Sequence, residues 1–204
     1  MNIIHYRQLL KKLAPNLQQI EHSAHQLHAS VNQIYGDNLP YGYHLSKVAD
    51  LVKNYAAAIV KDEHDILPVI FAAYYHDSIE DARLTYNDVR KVAAKFMNAE
   101  QSYIAAEIVY ALTNDKGRTR EERAGEHYYQ GIRETPYAPF IKLCDRLANM
   151  SFSFQKKNEA NRHMCEVYKR EWKHFIVSIS VDTDDLRYTL PQKGLDYAQE
   201  LLKD

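Results

Sequence analysis

The chain has 204 residues, 46% of them hydrophobic and 26% charged, with 26 basic and 27 acidic side chains and a formal net charge of -1. This length and composition are typical of one soluble globular domain. The balanced charge gives no support for a nucleic acid or a membrane surface as a partner. The two cysteines, Cys144 and Cys165, lack CxxC spacing, so we expect reduced thiols and a cytoplasmic location.

The sequence also lacks the marks of a membrane or secreted protein and is poor in turn-forming residues. It has no run of 18 apolar residues, and its first residues do not begin a signal peptide. Only 6 glycines and 6 prolines are spread over its length, which favours long helices with short connections. We therefore predict an all-α fold in which residues 1–204 form a single compact multi-helix bundle. The sequence does not specify the oligomeric state.

In the first half of the chain, apolar periodicity predicts a helix over residues 3–13 and a second helix from Pro15 to about residue 35. The segment YGDNLPYGYH, residues 35–44, holds two glycines and a proline and is predicted to be a loop. An amphipathic helix is expected over residues 44–60. A polar break, KDEHD, separates it from an apolar helix that contains FAAYY.

In the second half, Thr85 followed by Asp88 resembles a capping box that begins a helix. The polar segment 113–126 is expected to start as a loop, and VSISVDT, residues 177–183, is the only strand-like fragment. Further helices are predicted over 99–113, about 137–155, about 158–179 and after Pro191.

The apolar helix runs into four polar residues, His76, Asp77, Glu80 and Asp81, within the stretch HDSIED. Burying a carboxylate costs free energy unless it is paired, hydrogen-bonded or bound to a metal. Adjacent helix positions differ by about 100°, so His76 and Asp77 can reach one ion only where the helix end loosens. Glu80 and Asp81 each lie four residues beyond one of them and are expected on the same helix surface.

Two further elements could complete a metal site. His44 stands at the start of an amphipathic helix, and Asp145 lies in the apolar stretch FIKLCDRLANM. Two imidazoles with two carboxylates suit Mn²⁺, Fe²⁺ or Zn²⁺ better than Ca²⁺. Such an ion lowers the pKa of water and polarises a phosphoryl oxygen, and Glu80 and Asp81 could then orient or deprotonate that water.

Each feature has a simpler explanation when it is taken alone. Glu80 with Asp81 could be a solvated helix end, and Asp145 with Arg146 could form a surface salt bridge. The combination is more specific, because a histidine, an HD pair and a distant aspartate occur in that order on or beside apolar helices.

The motifs PYGYH, HDSIEDA, ALTNDK and KLCDRLANM together resemble the HD-domain phosphohydrolases. Within that superfamily they look most like the hydrolase module of RelA/SpoT proteins and the metazoan SpoT homologue. The resemblance covers about residues 40–150, and MCEVYKREWKHF, residues 164–175, resembles the end of small stand-alone members. It implies a bundle of the HD type, with the N- and C-terminal helices packed on the motif core.

The resemblance also implies a role for each matching residue. One divalent ion would be bound, usually Mn²⁺ in this branch, with Zn²⁺, Fe²⁺ or Mg²⁺ as alternatives. The matching positions imply that the metal is bound by His44, His76, Asp77 and Asp145. They also imply that water is activated by Glu80 and Asp81 and that substrate is contacted by Lys142, Arg146 and Asn149.

The implied activity is hydrolysis of a small phosphorylated nucleotide, with guanosine 3′,5′-bis(diphosphate), ppGpp, losing its 3′-pyrophosphate as the leading expectation. One alternative is a phosphatase for another nucleotide or a dinucleotide such as NADPH. A second is an HD module that senses a nucleotide without turnover, although Glu80 and Asp81 favour an enzyme because a binding protein needs no water activator. The chain ends too early for a synthetase domain, so synthesis is not expected.

The sequence departs from the family pattern close to the expected substrate. The family loop before the first histidine is basic, but no Arg or Lys occurs between Val31 and His44, and the threonine after the Glu-Asp pair is Ala82. We expect the metal chemistry to survive these differences, whereas the base selectivity is left open.

Two other groups of residues are candidates for binding. Basic residues of DKGRTREER could clamp a phosphate or form an exposed charged segment; they are Lys116, Arg118, Arg120 and Arg123. Three histidines at three-residue spacing could approach one another on a helix, but they lack an acidic partner for a second metal; they are His22, His25 and His28.

Overall fold

The computed structural model describes residues 1–36, 38–114, 116–155 and 158–203, without the side chains of Arg120 and Glu121. Two short strands pair antiparallel, β1 Ile34–Tyr35 and β2 Leu39–Pro40. Single 3-10 turns cover Glu63–Asp65 and Leu186–Tyr188. The α-helices are α1 Ile3–Ser30, α2 Gly42–Ile59, α3 Ile66–Tyr75, α4 Tyr86–Ala93, α5 Ala99–Leu112, α6 Arg120–Arg123, α7 Glu126–Glu134, α8 Ala138–Gln155, α9 Glu159–Ile179 and α10 Gln192–Leu201. The predicted all-α class is confirmed.

α3 lies at the centre of the hydrophobic core, since each of its ten residues is buried. Its sequence, ILPVIFAAYY, has no polar stripe, so it is stable only where other elements surround it. α1, α2 and α5 pack against it, and α2 packs in turn along α8. This packing places the three helices that carry the motif residues, α2, α3 and α8, next to one another.

The first helix differs from the prediction, because α1 continues through Pro15 instead of breaking there. Proline inside a helix removes one backbone hydrogen bond and strains the preceding turn. Both halves of α1 nevertheless bury residues of one face, with Tyr6 before the proline and Ile20 and Ala24 after it. Packing of this shared face on α2 and α3 offsets the local cost, so a single helix results.

The predicted loop over residues 35–44 contains the β-hairpin, and its tip packs against α8. Gly36 has a φ of +52°, and a Cβ atom there would overlap the ring of Phe152. Glycine is therefore required by both the turn and the close approach. The fragment predicted to be strand-like is not a strand in the structure, since Val177–Ile179 completes α9.

The remaining elements follow the sequence closely, with two additions, the short α6 and α7. Thr85 and Asp88 form the predicted capping box at the start of α4, with both reciprocal hydrogen bonds present. α7 was not predicted, because its segment is largely polar and contains Gly131; it forms by burying Tyr128, Tyr129 and Ile132. None of the helices in the described ranges is long and apolar enough to cross a membrane.

Candidate metal centre

His44 lies in the first turn of α2, where the chain enters the core from the hairpin. Its side chain is only 2% exposed. The ring of Tyr35 stacks on it with the centroids 5.0 Å apart, so aromatic packing fixes its orientation. Its Nδ1 atom is buried and makes no hydrogen bond to any residue that the structure describes. The other nitrogen, Nε2, points to the remaining motif residues.

His76 and Asp77 follow the end of α3, and the local turn lets both reach the same point. α3 ends at Tyr75, so the chain loosens at this motif as expected, whereas the expectation that Glu80 and Asp81 lie on the same helix is wrong. The N–H of Ser78 donates to the carbonyl of Tyr75, three residues back, which tightens the chain at this place. As a result Nε2 of His76 and Oδ2 of Asp77, which a regular helix would separate by about 100°, lie 2.9 Å apart.

Asp145 completes the cluster from the middle of α8. Its Oδ1 atom lies 3.3 Å from Nε2 of His44 and 3.8 Å from Nε2 of His76. Two neighbours on the same helix hold this carboxylate. The Nζ atom of Lys142 donates to Oδ2 over 3.0 Å, and Nδ2 of Asn149 donates to Oδ1 over 2.7 Å.

The spacing of these atoms fits a single ion. His44 Nε2 lies 3.2 Å from His76 Nε2 and 3.7 Å from Asp77 Oδ2. Donors at about 2.1 Å from one metal lie about 3 Å apart in neighbouring positions and about 4 Å apart in opposite positions. The separations between these nitrogen and oxygen atoms run from 2.9 to 3.8 Å and fall within these limits. The ligand atoms of His44, His76 and Asp145 lie within 4.8 Å of one another, so these three residues could hold a metal ion. Asp77 is not part of this group, although its Oδ2 atom lies 2.9 Å from Nε2 of His76.

The tautomer of His76 gives a second indication of a cation. Its Nδ1 atom lies 2.9 Å from the carbonyl oxygen of Ala73, which can only accept, so Nδ1 carries a proton. In the neutral ring, Nε2 would then turn a lone pair toward the oxygen of Asp77. Such a contact is repulsive unless a second proton or a cation lies between the two atoms.

The electrostatics of the metal-free cluster follow from this contact. Burial lowers the pKa of His76, but the carboxylates of Asp77 and Asp145 outweigh it and raise that pKa to about 9. Burial also opposes ionisation of the two aspartates, yet the imidazoles and the Lys142 ammonium hold the pKa of both carboxyls well below the usual range. The proton on His76 therefore occupies the place that a divalent ion would take.

Glu80 and Asp81 lie in the turn after α3 and are exposed. The backbone N–H of Asp81 donates to the carbonyl of Asp77 over 2.8 Å, so one helix-like turn connects the pair to the cluster. Oε1 of Glu80 accepts a hydrogen bond of 3.0 Å from Asn114, and Oδ2 of Asp81 accepts one of 2.6 Å from Gln33. Both acids are thus held by side chains at the rim of the centre.

A cavity of about 530 Å³ opens beside the cluster. Lys142 connects the two, since it lines the cavity and donates to Asp145. Asn114 lines it as well, so the partner of Glu80 belongs to the same space. The other positively charged side chains of its wall are Arg123, Arg146 and Arg170. A group of cations around a space of this size can hold a phosphorylated small molecule.

The remaining substrate residues predicted from the sequence lie in two environments. Arg146 lines the cavity, but its NH1 atom donates to Glu171 over 3.0 Å and its guanidinium lies 4.4 Å from the ring centre of Phe175. Asn149 contacts Asp145 and also accepts a 2.9 Å hydrogen bond from the hydroxyl of Tyr35. It therefore connects the hairpin to the centre.

The basic segment around residues 115–123 contributes to two cavities. Arg123 lines the cavity described above, and Lys116 lines a neighbouring cavity of about 650 Å³. The backbone N–H of Arg118 donates to Glu122. The side chain of Arg120 lies outside the described part of the chain.

Two residues outside the predicted ligand and substrate sets support the centre. The hydroxyl of Tyr41 donates to Oδ2 of Asp77, and Gln33 donates to Asp81. Tyr41 belongs to the PYGYH motif, so its position three residues before His44 indicates that it lies near the centre. No such pattern indicates Gln33, because an isolated polar residue before a loop is indistinguishable from a solvated one.

The mostly helical fold brings a histidine, a His–Asp pair and a distant aspartate to one point. Among solved structures, the chain is similar to one described as a metazoan ortholog of SpoT that hydrolyses ppGpp and plays a role in starvation responses. The TM-score is 0.60 at 21% identity, and the match covers 92% of this chain and 94% of that chain. No protein-family model matches the sequence. The resemblance to the RelA/SpoT hydrolase module is thus confirmed for the fold.

Proposed function

We propose that the chain is a metal-dependent phosphohydrolase that acts on a phosphorylated nucleotide. The observation that supports this most directly is the position of the donor cluster next to a cation-lined cavity, with Lys142 contacting both. Metal and phosphate sites that share a side chain are suited to phosphoryl transfer, because the ion and the cations can act on one phosphate group.

The metal would be held by His44, His76, Asp77 and Asp145. When bound, a divalent ion supplies Lewis-acid polarisation and a nucleophilic water near neutral pH. Mn²⁺ is the ion we favour, with Zn²⁺, Fe²⁺ or Mg²⁺ as alternatives, since mixed nitrogen and oxygen donors suit the first-row metals.

The other residues of the site would take a proton from the attacking water and bind the substrate. Glu80 and Asp81 are ionisable, exposed and oriented by amide partners, as a general base and a positioning acid need to be. Lys142 and Arg146 would neutralise the phosphate charge from the cavity wall. Asn149 would contact the nucleotide between the centre and the hairpin.

The leading substrate is ppGpp, and its 3′-pyrophosphate would be the group removed. Water would add to the phosphorus bound to the ribose 3′ oxygen, and that P–O bond would break. The 3′ oxygen would take up a proton, so the products would be pyrophosphate and a nucleoside 5′-diphosphate with a free 3′-hydroxyl. The described activity of the structural neighbour, a ppGpp hydrolase, supports this choice.

One observation favours a second substrate class, namely another nucleotide or a dinucleotide such as NADPH. The hairpin and the first turn of α2 beside the centre carry tyrosines, and no Arg or Lys occurs between Val31 and His44. Tyr35 and Tyr43 are stacked with their centroids 6.1 Å apart, and Tyr43 is 36% exposed. An exposed aromatic ring stacks on any base, so this surface does not select guanine.

Turnover of a defined panel tests the proposal. The purified protein, its metal content measured, is incubated with Mn²⁺ and ppGpp, NADPH or GDP, and products are separated by chromatography. Pyrophosphate from ppGpp supports the leading substrate, and orthophosphate from NADPH supports the second. Retained metal without any turnover would instead indicate a nucleotide-sensing module. A Glu80→Gln preparation made in parallel excludes a contaminating phosphatase, because only the intrinsic activity is lost with the substitution.

A further inference from the structure

His28 is a buried imidazole outside the donor cluster. It lies in the last turn of α1 and is fully covered by its neighbours. Its ring stacks on that of Tyr41, with the centroids 4.8 Å apart and 18° between the planes. The Nε2 atom is buried and makes no hydrogen bond within the described ranges. Such an atom costs free energy, so an apolar side chain would serve packing alone better than this histidine does.

The other ring nitrogen begins a chain of hydrogen bonds that ends on Asp81. Nε2 of Gln33 donates to Oδ2 of Asp81, and Oε1 of Gln33 faces Nδ1 of His28. An ionised carboxylate can only accept, so it requires the amide NH₂ group of Gln33. The amide oxygen is then left to His28, whose Nδ1 must carry a proton. Burial lowers the pKa of His28, which keeps the ring neutral and leaves Nε2 without a proton.

A second connection runs from the same ring to Asp77. Tyr41 is stacked on His28, and its hydroxyl donates to Oδ2 of Asp77, the oxygen that also lies 2.9 Å from Nε2 of His76. A carboxylate oxygen has more than one lone pair, so Tyr41 can orient it and leave one free for an ion. His28 therefore reaches two carboxylates of the centre, each through one intermediate side chain.

We propose that His28 is a positioning residue, which aligns Asp81 through Gln33 and Asp77 through Tyr41; the role at Asp81 rests on the proposed function. One imidazole can serve both connections, because its N–H bond lies in the ring plane while stacking uses the ring face. Asp81 is exposed and lies in a turn, so Gln33 is the contact that restricts its orientation. A misplacement of about 1 Å in such a group can lower a rate by as much as about 10²-fold.

A pair of substitutions of equal size separates the hydrogen bond from packing. Asparagine and leucine have nearly the same shape, but only asparagine offers an N–H donor close to the position of Nδ1. We expect His28→Leu to lower kcat about tenfold at an unchanged KM, and His28→Asn to stay within about threefold of the wild type. Gln33→Leu should behave like His28→Leu, because it breaks the same chain of hydrogen bonds.

A matched control tests whether lost stability alone explains the result. Ile20 lies in α1, is fully buried and belongs to neither connection. Ile20→Ala should lower the melting temperature and leave kcat unchanged at a temperature where the protein is folded. An equal loss of kcat in Ile20→Ala and His28→Leu would overturn the positioning role.

Two readouts do not depend on turnover. Nitrogen-15 NMR of the metal-free protein should show His28 as the neutral ring protonated on Nδ1, and Mn²⁺ titration should show about tenfold weaker binding for Tyr41→Phe. An Nε2-protonated ring would overturn the proposal even if the wild type hydrolyses ppGpp. Equal kcat values for His28→Leu and His28→Asn would do so as well, while the phosphohydrolase activity would stand. A wild type with the expected tautomer and no turnover would reject the proposed function and support the network.

Discussion

The donor cluster and the rim beside it differ in how the fold holds their side chains. His44, His76 and Asp145 come from α2, the end of α3 and α8, and each is largely buried among helices of the core. At the rim, exposed side chains are found instead, namely Glu80, Asp81, Arg123 and Arg170. Glu80 is held by a hydrogen bond from Asn114, and Asp81 by one from Gln33. A metal ion requires donor atoms whose positions are fixed to a fraction of an ångström, whereas a flexible substrate can be bound by side chains that change conformation.

The chemistry and the substrate selectivity of this protein depend on different parts of its structure. The buried cluster depends on helix packing that a single substitution would disturb, so its chemistry is tied to the fold. The hairpin lies beside α8, where the ring of Phe152 approaches Gly36, and several residues of the cavity wall are exposed. Substitutions there can change the preferred substrate and leave the metal centre intact.

The largest effect is expected from removing a donor of the cluster. Asp77→Ala or His44→Ala should lose the bound metal and lower turnover by at least about 10³-fold, because Lewis acid and nucleophile disappear together. Metal content is measured by mass spectrometry alongside the rate. Full metal occupancy in both variants would refute the cluster as the metal site.

A smaller loss is expected at the rim, where the acids would act on water without holding the ion. Glu80→Gln should lower kcat by about 10²-fold or more and keep the metal content of the wild type. Glu100→Gln, an exposed acid on α5, is the matched control and should leave both quantities unchanged. Metal loss in Glu80→Gln would place this residue in the cluster rather than at the rim.

The pH dependence of metal binding distinguishes the cluster from surface acids. In the metal-free protein His76 keeps its proton up to about pH 9, because its pKa is raised to about 9. Only the deprotonated nitrogen binds a metal, so binding below that pH releases a proton. The apparent Mn²⁺ affinity should rise about tenfold per pH unit between about pH 7 and pH 9 and then level off. Calorimetric titration in buffers of different ionisation enthalpy measures the number of protons released on binding. An Mn²⁺ affinity that does not change with pH would contradict this release.

The smallest effect is expected from the cavity wall. Arg170→Ala or Arg123→Ala should raise KM about fivefold with little change in kcat, since an exposed cation contributes modestly to binding a phosphate. Arg162→Ala, an exposed arginine on α9 that does not line the cavity, should leave KM unchanged. A change in kcat without a change in KM would assign these residues to the reaction instead of binding.

The sequence predicted most of the helices and the approach of His44, His76 and Asp145 to one point, because both depend on patterns that are local or have few solutions. Apolar spacing predicted α2, α5, α8 and α9 within a few residues, and three separated motifs had only one plausible meeting point. The break at Pro15 was wrong, because tertiary packing of α1 outweighs a local cost that the sequence shows clearly. Where α3 ends was also missed, since a turn at His76 depends on contacts beyond the helix.

The supporting contacts could not be predicted for a related reason. Gln33 is separated from Asp81 by 48 positions, and Tyr35 from Asn149 by 114. Hydrogen bonds of this range follow from the packed arrangement of α1, the hairpin and α8, and a lone polar side chain shows no periodicity that would indicate its partner.

The ion pair between Lys142 and Asp145 has a consequence for the order in which ligands enter. In the metal-free centre, the two aspartates are balanced by the Lys142 ammonium and the protonated His76, so the cluster adds no net attraction to that of the cavity arginines. A divalent ion that displaces the His76 proton leaves one excess positive charge at the same place. Phosphate esters should therefore bind to the cavity more strongly once the metal is present.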